Sequence, residues 1–304
     1  MKAPAGSALD RLAGAPISWG VCEVPGWGAM LPRDRVLAEM AALGLRATEL
    51  GALGYLGDEP GEIAALLAAH ELGCVGGFVP LVLQDPDARD ALRRDAQTAA
   101  ELLAGAGGTY FVTAPVRDAS WSEPVDLDGE GWAAFVAGLE LVEEICAAHG
   151  LIQVLHPHVG TLVERADQLS RVLERSDVRI CLDTGHLAIG GVDPVALADQ
   201  HAARVALVHL KDVDLSGATD VLAHRTSLLA ATRAGMFRPL GAGDVDVAGV
   251  VATLERRGYS GWYVLEQDTT IDPAAPGASD PRRDVQTSID YLRRVLGGAA
   301  HGEG

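Results

Sequence analysis

Cysteine is scarce, and the four present, Cys22, Cys74, Cys146 and Cys181, are never closer than 35 residues apart. No CxxC pair can form locally, which excludes a zinc ribbon or a dithiol redox motif and suits a reduced compartment. Basic residues are scarce too: 24 Lys+Arg stand against 42 Asp+Glu, a formal net charge of −18. A protein that neutralises a phosphate backbone needs the opposite balance, so nucleic acid is not expected as a partner. No apolar run reaches 18 residues and no charged-then-apolar leader opens the sequence. Neither membrane nor secretion is expected, and the expected location is the cytoplasm. What remains is ordinary globular composition, 48% hydrophobic and 22% charged over 304 residues, enough to bury a sizeable core.

Short apolar runs recur at 16–21, 46–50, 74–79, 109–114, 151–157, 178–184, 204–211 and 262–267, each ending in polar or glycine residues. Between them lie helical patterns at 34–43, 62–72, 88–104, 132–149, 166–173 and 247–257. Eight strands alternating with helices, with no Gly-rich phosphate fingerprint after the first, predict an α/β fold closed as a single (β/α)8 TIM barrel. The 57 residues from His209 to Glu266 exceed one βα repeat and predict an excursion over the barrel mouth. No linker splits the chain, so residues 1–304 read as one domain, with frayed ends expected at 1–14 and 298–304.

In such a barrel the site sits at the C-terminal ends of the strands. Four of those ends carry HPH (156–158), DTGH (183–186), VHLKD (208–212) and LEQD (265–268). A divalent cation needs imidazoles and carboxylates arriving from several directions, and these segments supply that spread. Each alone is weak, since a lone strand-end histidine is more often structural or solvated than a ligand. Together they point to a metal site.

The strings PISWG (16–20), TELGALGYLG (48–57), HPHVGTLVE (156–164), DTGHLAIGGVDP (183–194), VHLKDVD (208–214), PLGAGDVD (239–246) and WYVLEQD (262–268) carry a resemblance. Over about residues 15–297 the chain resembles the xylose isomerase-like barrel superfamily of sugar isomerases, epimerases and endonuclease IV, and within it the inosose dehydratase family. The resemblance implies one divalent ion, Mn2+ or Co2+ foremost and Zn2+ or Mg2+ as alternatives, held by Asp183, His209, Glu266 and a strand-five ligand. Relatives usually place a Glu there; here His156 stands in its position, with His158 in phase two residues on as the alternative. Glu49, His158 and Lys211 are the unranked acid/base candidates, and burial near a metal is expected to lower the Lys211 pKa. Trp19, His186 and Arg238 are the candidate substrate contacts.

The implied activity is that of a carbon–oxygen lyase of inositol catabolism. It eliminates water from scyllo-inosose through a metal-stabilised enolate, giving a trihydroxycyclohexane dione. The absence of a second metal-bound glutamate favours dehydration over keto-sugar isomerisation or epimerisation, the first alternative. An endonuclease IV-like repair enzyme and a non-catalytic sugar-binding barrel are the others. The expected partner is a small cyclitol or keto-sugar, and a homo-oligomer is compatible with the sequence.

Overall fold

The computed structural model describes residues 3–275 and 279–297 of the chain; the expected fraying at 298–304 lies outside the described residues. Its strands are β1 (Leu12–Gly14), β2 (Ala47–Thr48), β3 (Gly73–Cys74), β4 (Gly76–Leu81), β5 (Tyr110–Pro115), β6 (Ile152–Leu155), β7 (Arg179–Asp183), β8 (Val205–Leu210), β9 (Asp212–Val213), β10 (Phe237–Arg238) and β11 (Tyr263–Leu265). The parallel sheet runs in the order β3-β2-β1-β11-β8-β7-β6-β5-β4. Its two ends are halves of one run interrupted at Val75, whose amide donates to the Thr48 carbonyl and whose carbonyl accepts from Tyr110. The ring of eight staves therefore closes on itself.

The helices are α1 (Arg33–Ala42), α2 (Pro60–Ala69), α3 (Arg89–Gly105), α4 (Gly129–Ala148), α5 (Ala166–Arg175), α6 (Thr184–Ile189), α7 (Pro194–Gln200), α8 (Ala218–Leu222), α9 (Leu228–Arg233), α10 (Val247–Arg256) and α11 (Pro281–Gly297). Asp193 and Asp246 cap α7 and α10 by accepting the free amides of the first turn. No helix among the described residues is long and apolar enough to cross a membrane.

The first strand differs from its sequence reading. It is Leu12–Gly14, inside the stretch expected to fray, and it pairs β11 and β2. Residues 16–19 form a 3-10 turn instead, because Pro16 has no N–H for a ladder and Ser18 donates back to the Ala15 carbonyl.

A small apolar cluster including Ala13, Ala47, Val75, Val112, Val154, Cys181, Leu207, Trp262 and Val264 fills the barrel lumen. Side chains alternate along a strand, so the residues two further on face the same way. From Ala47, Val154, Cys181, Leu207 and Val264 that step leads to Glu49, His156, Asp183, His209 and Glu266. One more step gives His158, Lys211 and Asp268. The site is the polar upper layer of the same stack whose lower layer is the core.

Beneath the lumen, Arg11 is buried and donates to the Tyr259 and Gly261 carbonyls at 3.1 and 3.0 Å and to both oxygens of Glu255. Arg11→Met leaves these acceptors unpaired and is expected to lower unfolding free energy by about 2–3 kcal/mol. Urea unfolding checks this, and an unchanged midpoint would show that the pair contributes nothing.

Between β8 and β11 the excursion appears as expected. β9 and β10 pair antiparallel at its base, with α8 and α9 between them. The buried Asp212 carboxylate accepts amides from Gly241, Gly243 and Val245 and folds residues 239–246 around itself. Gly243 is required there, since a Cβ would fall 2.3 Å from Asp212 Oδ1.

Candidate metal centre and active-site cavity

Asp183 ends β7 and caps α6: its Oδ1 accepts the amides of Gly185 and His186, each at 2.9 Å. That fixes Oδ2 toward the barrel axis, 3.3 Å from His156 Nε2. Across the ladder, in register with Asp183, stands His209. Its Nε2 meets Glu49 Oε1 at 3.0 Å and its Nδ1 lies 3.0 Å from Glu266 Oε2. Despite that distance, His209 Nδ1 and Glu266 Oε2 lack hydrogen-bond geometry; both are buried without a hydrogen bond, and Glu266 Oε2 has only the ion pair with Lys211 Nζ at 3.1 Å. Two donor atoms converging without bonding one another are the arrangement a cation would satisfy.

Ligand atoms of Asp183, His209 and Glu266 lie within 4.8 Å of one another, as do those of His156, Asp183 and His186. The four residues expected as ligands thus fall in two sets that share Asp183. Cys181 forms a third set with His156 and His209, one layer lower. Burial pushes its thiol up to about 11, so the carboxylate-rich layer is the better seat for a divalent ion.

Lys211 is wholly buried with its Nζ 2.8 Å from Asp268, 3.1 Å from Glu266 and 3.3 Å from Asp183. It also approaches His186 Nε2 at 2.9 Å. Desolvation alone would lower its pKa, as expected from sequence. The carboxylates of Asp183, Asp268 and Glu266 overcome that and hold it well above the ordinary lysine value, so it remains an ammonium. Conversely, burial raises the Asp268 carboxyl to about 6 against the pull of Lys211.

His158 Nδ1 lies 2.7 Å from the Val159 carbonyl, which assigns the proton to Nδ1 and leaves Nε2 bare. Burial, with His156 and Lys211 adding positive charge, pushes this imidazole down to about 3. It is a neutral ring with an available lone pair.

These groups form the floor of a cavity of about 330 Å³ lined by Glu49, His156, His158, Lys211, Glu266 and Asp268. Phe78 and Trp121 form one wall, their rings 6.1 Å apart and nearly parallel, with Trp27 also lining the space. The volume lies at the small end of small-molecule sites, and aromatic faces suit the apolar C–H surfaces of a ring polyol.

Residues 37–295 match the family model described as the xylose isomerase-like TIM barrel. The chain belongs to the xylose isomerase-like TIM barrel family. It is 30% identical over 298 residues to an inosose dehydratase of Geobacillus kaustophilus, covering 94% of each chain. It is 31% identical to the rhizopine catabolism protein MocC of Rhizobium meliloti over 88% of this chain and 84% of that one. The solved IolI protein with a binding zinc atom superposes with a TM-score of 0.69 at 17% identity, covering 95% of this chain and 98% of that one.

Within this xylose isomerase-like barrel, Glu49, His156, His158, Asp183, His209, Lys211 and Glu266 come together, while His186, expected as a substrate contact, is not among the cavity-lining residues. Neither Trp19 nor Arg238 joins them. With the first strand ending before Pro16, Trp19 is carried into the core, where its indole donates to Glu39 at 2.7 Å. Arg238 is exposed on β10 and pairs with Asp214 at 3.3 Å. His186 lies beneath the floor, its ring centroid 3.7 Å from that of His158 with the planes tilted by 39°, and its Nε2 in contact with Lys211.

Sequence reading assigned no role to Asp268, although its phase with Glu266 carried the signal. Phe78, Trp121 and His224 also went unassigned; the two loop residues have positive φ and follow no period.

Proposed function

We propose that this chain is a metal-dependent carbon–oxygen lyase that removes water from a keto-inositol such as scyllo-inosose. The relationship with an inosose dehydratase over nearly the whole chain carries the choice of reaction. A divalent ion held by Asp183, His209 and Glu266, with His156 as fourth ligand, would supply Lewis-acid polarisation of the substrate ketone. The absence of a second glutamate among the ligands no longer separates dehydration from epimerisation, because Glu49 and Asp268 place further carboxylates in the cavity. The weight on dehydration therefore rests on the relative.

His158 is too weak a base for the proton α to the ketone, since burial pushes its imidazole down to about 3; its bare Nε2 accepts from a ring hydroxyl, and in this reading the cavity-lining Asp268 carboxylate takes the α proton. Lys211 is the acid. Its ammonium delivers a proton to the departing β-hydroxyl, so that H+ and OH− leave as water and a C=C bond forms. Glu49 accepts from His209 Nε2 and orients that ring rather than moving the substrate proton. The Phe78–Trp121 wall excludes water from one face.

An ultraviolet assay of scyllo-inosose with metal-stripped enzyme tests this, before and after Mn2+ or Co2+ is restored. Dione is expected only after metal returns. Metal binding without consumption of inosose would overturn the substrate, and solvent deuterium entering a keto-sugar would then favour epimerisation.

A further inference from the structure

The excursion after β8 crosses the mouth and is tied down on opposite sides of the barrel. Arg233 donates to the Gly26 carbonyl beyond β1, and His224 reaches Glu164 beyond β6. In a ring of eight staves those two strands stand four apart. Between these ties the segment adds His224, Thr226 and Ser227 to the cavity lining.

His224 holds a left-handed backbone, φ 53, which most side chains avoid and which histidine tolerates better than most. Its amide donates to the Val221 carbonyl at 3.0 Å, so the end of α8 fixes that conformation. The imidazole Nε2 stands 3.3 Å from Glu164 Oε1. Glu164 is itself buried, with Oε2 accepting the Gly160 amide at 2.9 Å and Oε1 lacking any hydrogen bond. A buried carboxylate oxygen left unbonded is costly; the Arg165 guanidinium, 3.7 Å away, offers it positive charge, and the His224 ring is the other group beside it.

We propose that His224 binds a hydroxyl of a polyhydroxylated ring substrate from the roof of the cavity, and that Glu164 is its positioning residue. With Nε2 turned to Glu164, Nδ1 is the nitrogen left for the substrate hydroxyl. One loop, residues 156–164, thereby serves both floor and roof, since it carries His156 and His158 as well as Glu164. The ligand class rests on the dehydratase reading; the pairing of His224 with Glu164 does not.

The test uses His224→Asn, which suits the left-handed backbone, His224→Gly, which removes its strain, and Glu164→Gln, all in metal-loaded full-length protein. Both His224 variants are expected to raise KM for scyllo-inosose about tenfold, the scale of one lost hydrogen bond, with kcat changed less than about threefold. Glu164→Gln is expected to raise KM in the wild-type background and add nothing to His224→Asn. In parallel, myo-inositol is titrated while the 15N signals of His224 are followed; its affinity should fall in step with KM.

Unchanged KM and myo-inositol affinity in both His224 variants would overturn the proposal, as would wild-type protein that binds neither polyol. Additive losses in the double variant would overturn the positioning role of Glu164. Wild type that shifts the His224 signals with myo-inositol yet leaves scyllo-inosose intact would sink the dehydratase reading and support His224 as a polyol contact.

Discussion

Asp183→Asn is expected to lose bound metal and turnover together while keeping its fold. The side chain has two separate tasks, and the substitution divides them. Oδ1 accepts two amides at the start of α6, which an asparagine oxygen also does. The other atom becomes an NH2 group aimed at Lys211 Nζ and His156 Nε2, both 3.3 Å from the native oxygen. A donor among donors cannot ligate a cation. Metal affinity should fall at least about 100-fold and turnover about a thousandfold or more, since Lewis-acid polarisation supplies several kcal/mol. Asp183→Ala should match it in both respects and lose about 1 kcal/mol further in stability through the missing cap. Bound-metal stoichiometry, circular dichroism and turnover separate these effects. Full metal content with full activity in either variant would remove this corner from the site.

The candidate metal corner was legible because strand phase does not depend on exact strand ends. His209 and Glu266 follow lumen-filling Leu207 and Val264 by two residues wherever the ladder is said to begin or stop. The first strand was not legible in this way. Pro16, Ile17, Ser18 and Trp19 form an apolar run that passes for a strand, and only the missing proline N–H betrays the turn. That error moved Trp19 to the cavity on paper, while the chain buries it against α1. The wall residues Phe78 and Trp121 meet only in three dimensions, one on a strand and one in an irregular loop. The direction of the Lys211 shift failed for a related reason. Burial was anticipated, but the sign is decided by three carboxylates arriving from two other strand ends, β7 and β11, and that sum is a property of the closed ring.

Lys211→Met should destabilise the metal-free protein severely and the metal-loaded protein much less. The ammonium stands among Asp183, Glu266 and Asp268 at 2.8–3.3 Å, buried at the cavity floor. Methionine fills similar volume, so packing against Phe237 is largely kept and the change is mainly one of charge. Removing one partner of a buried ionic cluster costs about 3–5 kcal/mol because the remaining charges lose compensation. A divalent cation bound by Asp183 and Glu266 restores part of it, so Mn2+ should raise the melting temperature of Lys211→Met by more than that of wild type. Turnover should not follow the stability. Without the ammonium the departing hydroxyl has no proton donor, and activity at saturating metal should remain about 10²–10⁴-fold low. Melting curves with and without Mn2+, set beside turnover of the same samples, read both effects. Equal metal-induced shifts in the two proteins would show that Lys211 is not the counter-charge of this site, and wild-type turnover in the variant would assign the acid to another group.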